Sequence, residues 1–178
     1  MFCYRITKYN PKYRDLSGAY KKDEWTSYSD IGATFANEIL SAKEYLNIEN
    51  AYVRSISLFM DDTGDASLIV TALEKHQAPQ EDDALFDPKL LNAYQSLDVN
   101  ESVNKNGALE VARVALRDYL WCKLESEHMF IHFGYDYYMY IGTLKKPSSI
   151  LPQIESLGLF VERIDESPYS PCDENEED

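Results

Sequence analysis

A chain of 178 residues with 44% hydrophobic side chains and a formal charge of −14 has the length to bury one core. This excludes a wholly disordered polymer, and no apolar run reaches the roughly 18–20 residues of a membrane span. It also argues against direct nucleic-acid binding, because phosphate contacts need a basic face and here 31 acids oppose 17 bases. Residues 165–178 hold seven of the acids, yet 24 acids against 17 bases still leave −7 without them. With Pro168 and Pro171 in the same stretch, the pattern predicts one domain over 1–166 and an acidic, disordered tail over 167–178. Met1–Asn10 lacks the basic and apolar regions of a signal peptide. Cys3, Cys122 and Cys172 are odd in number and widely spaced, which favours reduced thiols. The expectation is a cytoplasmic protein without cofactor or metal.

Taken in chain order, Phe2–Tyr9 alternates crudely and predicts a strand. Asn10–Asp30, with Pro11 and Gly18, predicts a long loop. Ser41 and Glu44 have the spacing of a capping box. After them Tyr45, Ile48, Tyr52, Ile56 and Phe59 form one stripe of a helix that ends near Asp62, with Gly64 beyond. Ser67–Leu73 reads as a buried strand, and Asp87-Pro88 opens a short helix. Leu109, Ala112, Leu116, Tyr119 or Leu120, and Leu124 predict a central helix that takes in Cys122 as a core filler. Phe130–Gly142 carries five Phe or Tyr rings in its first nine residues and a Gly134 break, which predicts a hairpin in mid-sheet. Pro147–Leu157 predicts a short helix capped by Gly158, and Leu159–Ile164 a last strand. The fold class is therefore α+β: a mixed or antiparallel sheet of about five strands against three to five helices.

Few residues carry chemistry on their spacing alone. His128 and His132 would share a strand face about 13 Å apart, too far for one metal. His132, Asp136 and Tyr137 are the candidates for an acid–base cluster, since a carboxylate orients and charges a histidine. Asp136 also suits the hairpin turn, and the structural reading of Gly134-Tyr135-Asp136 is favoured over the catalytic one. Arg113 or Arg117 is expected to pair with Glu110 or Asp136. Trp25, Tyr28 and Asp30 in the loop, with Tyr135, Asp136 and Tyr138 in the hairpin, have the composition of a recognition surface. In the alternative reading, Trp25 pins the loop to the core.

Two groups of residues carry a resemblance. Arg5-Ile-Thr-Lys-Tyr-Asn-Pro11, Asp23-Glu-Trp-Thr-Ser27 and Ser29-Asp-Ile-Gly32 look like the opening of small uncharacterised bacterial proteins. Leu120-Trp-Cys-Lys-Leu124 and His132-Phe-Gly-Tyr-Asp-Tyr-Tyr138 resemble their second half. In type, the chain is similar to cytoplasmic immunity proteins of bacterial toxin systems, which are small, acidic and aromatic-rich. The resemblance implies a module that neutralises or regulates a protein partner, and the acidic charge makes a basic partner the expectation. Charge complementarity points the same way. The competing expectations are a small enzyme built on His132, Asp136 and Tyr137, and an acidic nucleic-acid mimic.

Overall fold

The central sheet grows out of one repeated device, alternation of apolar side chains along short antiparallel strands. The computed structural model describes residues 1–147 and 149–170. Among the described residues the nine strands are β1 (Phe2–Thr7), β2 (Thr34–Phe35), β3 (Glu38–Ile39), β4 (Ser67–Lys75), β5 (Ser102–Asn104), β6 (Leu120–Glu125), β7 (Met129–Phe133), β8 (Tyr138–Thr143) and β9 (Phe160–Ile164). Seven of them form one antiparallel sheet in the order β5-β4-β6-β7-β8-β1-β9, so β7 of the aromatic hairpin is the middle strand. β2 and β3 pair separately as a small ribbon. The helices are α1 (Ala42–Thr63), α2 (Pro88–Ser96), α3 (Lys105–Leu116) and α4 (Ile150–Ser156). The α+β expectation and the number of helices hold, and the sheet is two strands wider than expected.

Local signals fix several element ends. Ser41 and Glu44 form the reciprocal capping box of α1, and Gly64 closes the helix at φ 79°, a left-handed conformation that suits glycine. Asp87 caps α2 ahead of Pro88 at its first position. The expected long helix through Leu124 is corrected. α3 stops at Leu116 because Asp118 turns left-handed at φ 59°, and the chain re-enters the sheet as β6. Leu116, Leu120 and Leu124 fit helical spacing, but Leu120, Cys122 and Leu124 also alternate, and in the fold these three are buried while Trp121, Lys123 and Glu125 are half-buried. Cys122 remains a fully buried filler, although on a strand.

The helices cover one face of the sheet. Tyr4, Ile6, Leu68, Val70, Leu124, Ile131 and Ile141 from the strands share a buried core with Tyr52, Ile56, Phe59, Val111 and Ile154 from the helices. Inside this layer Glu49 of α1 is wholly buried, and it receives Arg117 through two bonds of 2.6 and 3.0 Å and Arg113 through one of 2.5 Å. The partner expected for these arginines was Glu110 or Asp136. Glu49 takes that place because α1 lies alongside α3, a proximity that sequence separation conceals. Arg117 also donates to the Leu85 carbonyl at 2.5 Å, which ties down the loop before α2. Removing one partner of such a buried group would leave an uncompensated charge.

The opposite face is covered by chain segments rather than helices. Arg14 and Arg5 both bond Glu162 at 3.0 Å, and both guanidiniums lie within 5.5 Å of the Tyr138 ring centroid. The tail expected from Ser167 onward lies outside the described residues from 171 to 178, Cys172 included. Its first part is docked: Ser167 is buried against His132, and the Tyr169 ring sits 5.7 Å from Trp121 and 5.8 Å from Tyr140. Lys123 donates its ammonium to the Tyr169 carbonyl. Beneath this strap Phe130 stacks on His132 at 4.3 Å and lies flat over Gly142, where a Cβ would come within 2.1 Å of the ring.

Gly142→Ala is therefore expected to push Phe130 off His132 and to cost about 1–3 kcal/mol of stability. At roughly 2–4 °C per kcal/mol, the lower melting temperature is readily measured by calorimetry. The double variant with Phe130→Leu should recover part of the loss. If Gly142→Ala melts like the parent, the close packing is not a constraint.

Candidate interaction site at the acidic end of the sheet

One end of the sheet gathers the exit of β1, the loop over residues 8–40, the α3–β6 corner and the β7–β8 turn. Backbone groups here lack strand partners, and buried ones must be satisfied in another way. Tyrosine hydroxyls do this. The Tyr52 hydroxyl accepts from the Lys8 amide at 2.8 Å and donates to the Tyr137 carbonyl at 2.5 Å. Tyr45 and Tyr137 both donate to the Leu116 carbonyl, at 3.1 and 2.7 Å. α1 thus holds three corners of the chain through two side chains seven residues apart.

The β7–β8 turn is built to deliver Tyr137 to this knot. Asp136 and Tyr137 have φ of 53° and 60°, and the Tyr138 amide bonds the Tyr135 carbonyl at 3.1 Å, as in a primed hairpin turn. Asp tolerates the left-handed region, whereas a bulky residue there is strained. Tyr137 is held by its two hydroxyl contacts and by edge-on packing against Trp25 at 4.8 Å. Asp118, also left-handed, lines the same shallow hollow as Asp136 and Leu116.

The electrostatics of this end centre on Lys8. Alternation along β1 sends Lys8 to the side of Tyr4 and Ile6, and its side chain is only 4% exposed. The ammonium lies 4.0 Å from the Trp25 ring centroid, 4.1 Å from that of Tyr9, and 3.7 Å from a Glu24 oxygen. It has no hydrogen-bond partner among the described residues. Burial lowers its pKa from 10.5 to about 8, against the pull of Glu24, Asp30 and Asp136. Asp118 is exposed, yet desolvation by the loops packed beside it raises its pKa, and the charges of Asp136 and Asp30 add to the rise. Glu24, Asp30 and Asp136 thus act on a withdrawn cation, and Asp30 and Asp136 act in turn on Asp118.

The expected surface residues meet here in unequal roles. Trp25 is wedged between Tyr45 and Tyr137, with centroids 5.6 and 4.8 Å away, and Tyr28 packs 5.2 Å from Tyr45, so both pin the loop. Asp30 accepts from the Thr26 and Ser27 amides at 2.8 and 3.0 Å and is half-buried. The Tyr138 ring is taken by Arg5 and Arg14, and it packs 5.5 Å from Tyr9. Tyr135, 78% exposed, and Asp136 are the two that stand free at the surface. Lys8 and Asp118 were missed, although the Tyr4–Ile6–Lys8 alternation carried the signal for Lys8.

The cluster expected from His132, Asp136 and Tyr137 does not assemble. His132 lies on the face away from the helices, 2% exposed, with its Nδ1 bonded to Ser167 at 2.8 Å and its Nε2 to Glu125 at 2.7 Å. Both ring nitrogens are thus engaged, and burial lowers its pKa despite Glu125. Tyr137 points to the helix side. Its hydroxyl pKa is pushed far above the usual range by burial, which makes it a poor proton donor. Among the described residues, no group of three or more His, Cys, Asp or Glu is arranged to hold a metal ion.

Tyr52→Phe should cost more than Tyr45→Phe. The first leaves the Lys8 amide and the Tyr137 carbonyl unsatisfied, about 2–4 kcal/mol; the second leaves Leu116 with Tyr137 and costs about 1 kcal/mol. Urea melts compare the two, and equal losses would dismiss the knot.

Lys8 gives a pH signature. The folded chain releases its proton near pH 8, while the unfolded chain keeps it to about 10.5. Between those values the unfolded state binds more protons, so stability rises with pH, by up to on the order of 3 kcal/mol at 1.36 kcal/mol per unit. Above about pH 10 the buried tyrosines, whose hydroxyls burial holds protonated, reverse the trend. The urea midpoint should therefore climb from about pH 7.5 to about 8.5 in the parent and show no climb in Lys8→Met; nearer pH 9 the Cys3 and Cys122 thiols, held protonated by burial, begin to lower it in both.

No family model, no curated protein and no solved structure matches this chain.

Proposed function

We propose that this protein binds a basic protein partner through the acidic end of its sheet, and so neutralises or regulates it. The observation that carries the reading is the convergence of Glu24, Asp30 and Asp136 on Lys8, a cation withdrawn beneath Trp25, with Asp118 coupled to Asp30 and Asp136 beside them. The carboxylates at the surface are left without the lysine's charge exposed beside them, and their field steers a cationic surface toward this end. Tyr135 stands beside Asp136 as an exposed aromatic anchor of the kind that dominates interface energetics. The loops beneath are tied by tyrosine hydroxyls, so the site is preorganised and little ordering is required on binding. A toxin domain is the proposed partner, on the resemblance in type to immunity proteins. A small enzyme centred on His132 has less support, because that side chain is engaged on both nitrogens and covered.

Asp118→Asn with Asp136→Asn tests the reading without disturbing the turns. Asn tolerates the left-handed backbone, and it keeps an acceptor for the Ser27 hydroxyl that now bonds Asp118 at 3.0 Å. The tagged parent should retain a basic protein from lysate of its native cell, and roughly 0.5 M salt should release it. The double variant with Tyr135→Ala added should lose it at least about tenfold. Retention that neither salt nor these substitutions weaken would sink the proposal.

A further inference from the structure

At this same end a second surface lies on the other side of Trp25. A groove of about 300 Å³ runs between residues 22–25, the β2–β3 ribbon and the first turn of α1. Its apolar lining is Trp25, Phe35, Ile39 and Leu40, with Ile39 65% exposed. Its rim carries four carboxylates, Asp23, Glu24, Glu38 and Glu44, against the single cation Lys22. Lys22 sits at the Glu24 end of this rim, its ammonium 4.2 Å from the Tyr13 ring centroid and 3.8 Å from Glu24, which leaves Glu38 at the opposite wall without a paired cation among the described residues.

The ribbon that forms one wall is itself shaped by strain. Ala36 and Asn37 join its strands at φ of 48° and 71°, and the Ala36 amide is bonded by Asp23 at 3.3 Å. Gly32 and Leu40 continue the pairing through a 2.8 Å bond, so the ribbon is anchored at its base while Ile39 faces water. Ile39, with half-buried Phe35 beside it, gives the acidic rim an apolar flank. From the protein side, the Trp25–Glu24 wall already accommodates one ammonium, that of Lys8, at 4.0 Å from the ring and 3.7 Å from the carboxylate. The wall's chemistry is thus that of a cation site with an apolar flank.

We infer that this groove receives a lysine or arginine side chain flanked by an apolar residue, presented by the partner protein. The inference rests on the reading of a basic partner given above and names the place where one of its side chains docks. The apolar stem of the incoming residue covers Trp25, Phe35 and Ile39, while its charged head meets the Glu38 and Glu24 rim. A neutral or acidic segment of the same shape gains the apolar contact alone and meets repulsion from the rim.

The test uses the whole chain and two synthetic peptides, acetyl-Leu-Lys-Leu-Lys-amide and acetyl-Leu-Glu-Leu-Glu-amide. With ¹⁵N-labelled protein, the lysine peptide should move the Trp25 indole signal and the amides of residues 35–40, and the glutamate peptide should not. Glu38→Lys should weaken the lysine peptide at least about tenfold, with the spectrum otherwise that of a folded parent. Shifts absent, elsewhere, or equal for both peptides would overturn the inference. Capture from lysate separates the two claims. A basic protein retained equally by the parent and by Glu38→Lys with Ile39→Ser overturns the groove and leaves the partner reading intact. A parent that retains none, while the lysine peptide still binds the groove, overturns the partner reading and leaves the groove as a cation site.

Discussion

Three tyrosine hydroxyls bear the constraint on which the rest of this structure depends. Tyr45, Tyr52 and Tyr137 satisfy main-chain groups at the end of β1, the end of α3 and the β7–β8 turn, none of which has a ladder partner available. Inside a low-dielectric core, an unpaired amide or carbonyl costs more than the bond it would have made gains. The knot therefore selects where each corner sits. It also explains why a bulky residue occupies a left-handed turn position at Tyr137, since the strain there is balanced by two hydroxyl contacts and a Trp25 neighbour.

Electrostatics follow from that arrangement. Fixing the Lys8 amide to Tyr52 sends the Lys8 side chain under Trp25, where an aromatic wall and a nearby carboxylate replace water. Of the acids around it, Asp118 and Asp136 face solvent while Glu24 and Asp30 are half-buried. An acidic composition could have served solubility alone. Here part of it is concentrated at one rigid end, between two aromatic features, the exposed Tyr135 and the groove behind Trp25. The opposite face of the sheet follows a different logic. Its histidine is locked between Glu125 and Ser167 beneath Phe130, an arrangement for packing rather than proton transfer.

Much of this was legible in the sequence because it is local. The Ser41–Glu44 box, Gly64, Asp87-Pro88 and Gly158 mark element ends through interactions spanning a few residues, and the aromatic run over 130–142 declared the middle of the sheet. What failed also has a physical reason. Leu116, Leu120 and Leu124 satisfy helical spacing while Leu120, Cys122 and Leu124 satisfy strand spacing, and only the left-handed backbone at Asp118 chooses between them. The short β5 and the β2–β3 ribbon are too brief to show a period of their own.

By itself, the sequence determined the acidic balance, the α+β class, both ends of α1, the start of α2 and the candidate aromatic residues. These depend on composition, on periodicity and on bonds between near neighbours in the chain. Tertiary structure alone decided which arginine meets Glu49 across 64 to 68 residues, and which carboxylates converge on Lys8. It also decided that Trp25 pins a loop while Tyr135 stays free. Those outcomes turn on which segments the packing of α1 against the sheet brings together, and on the need to satisfy every buried polar group once they meet.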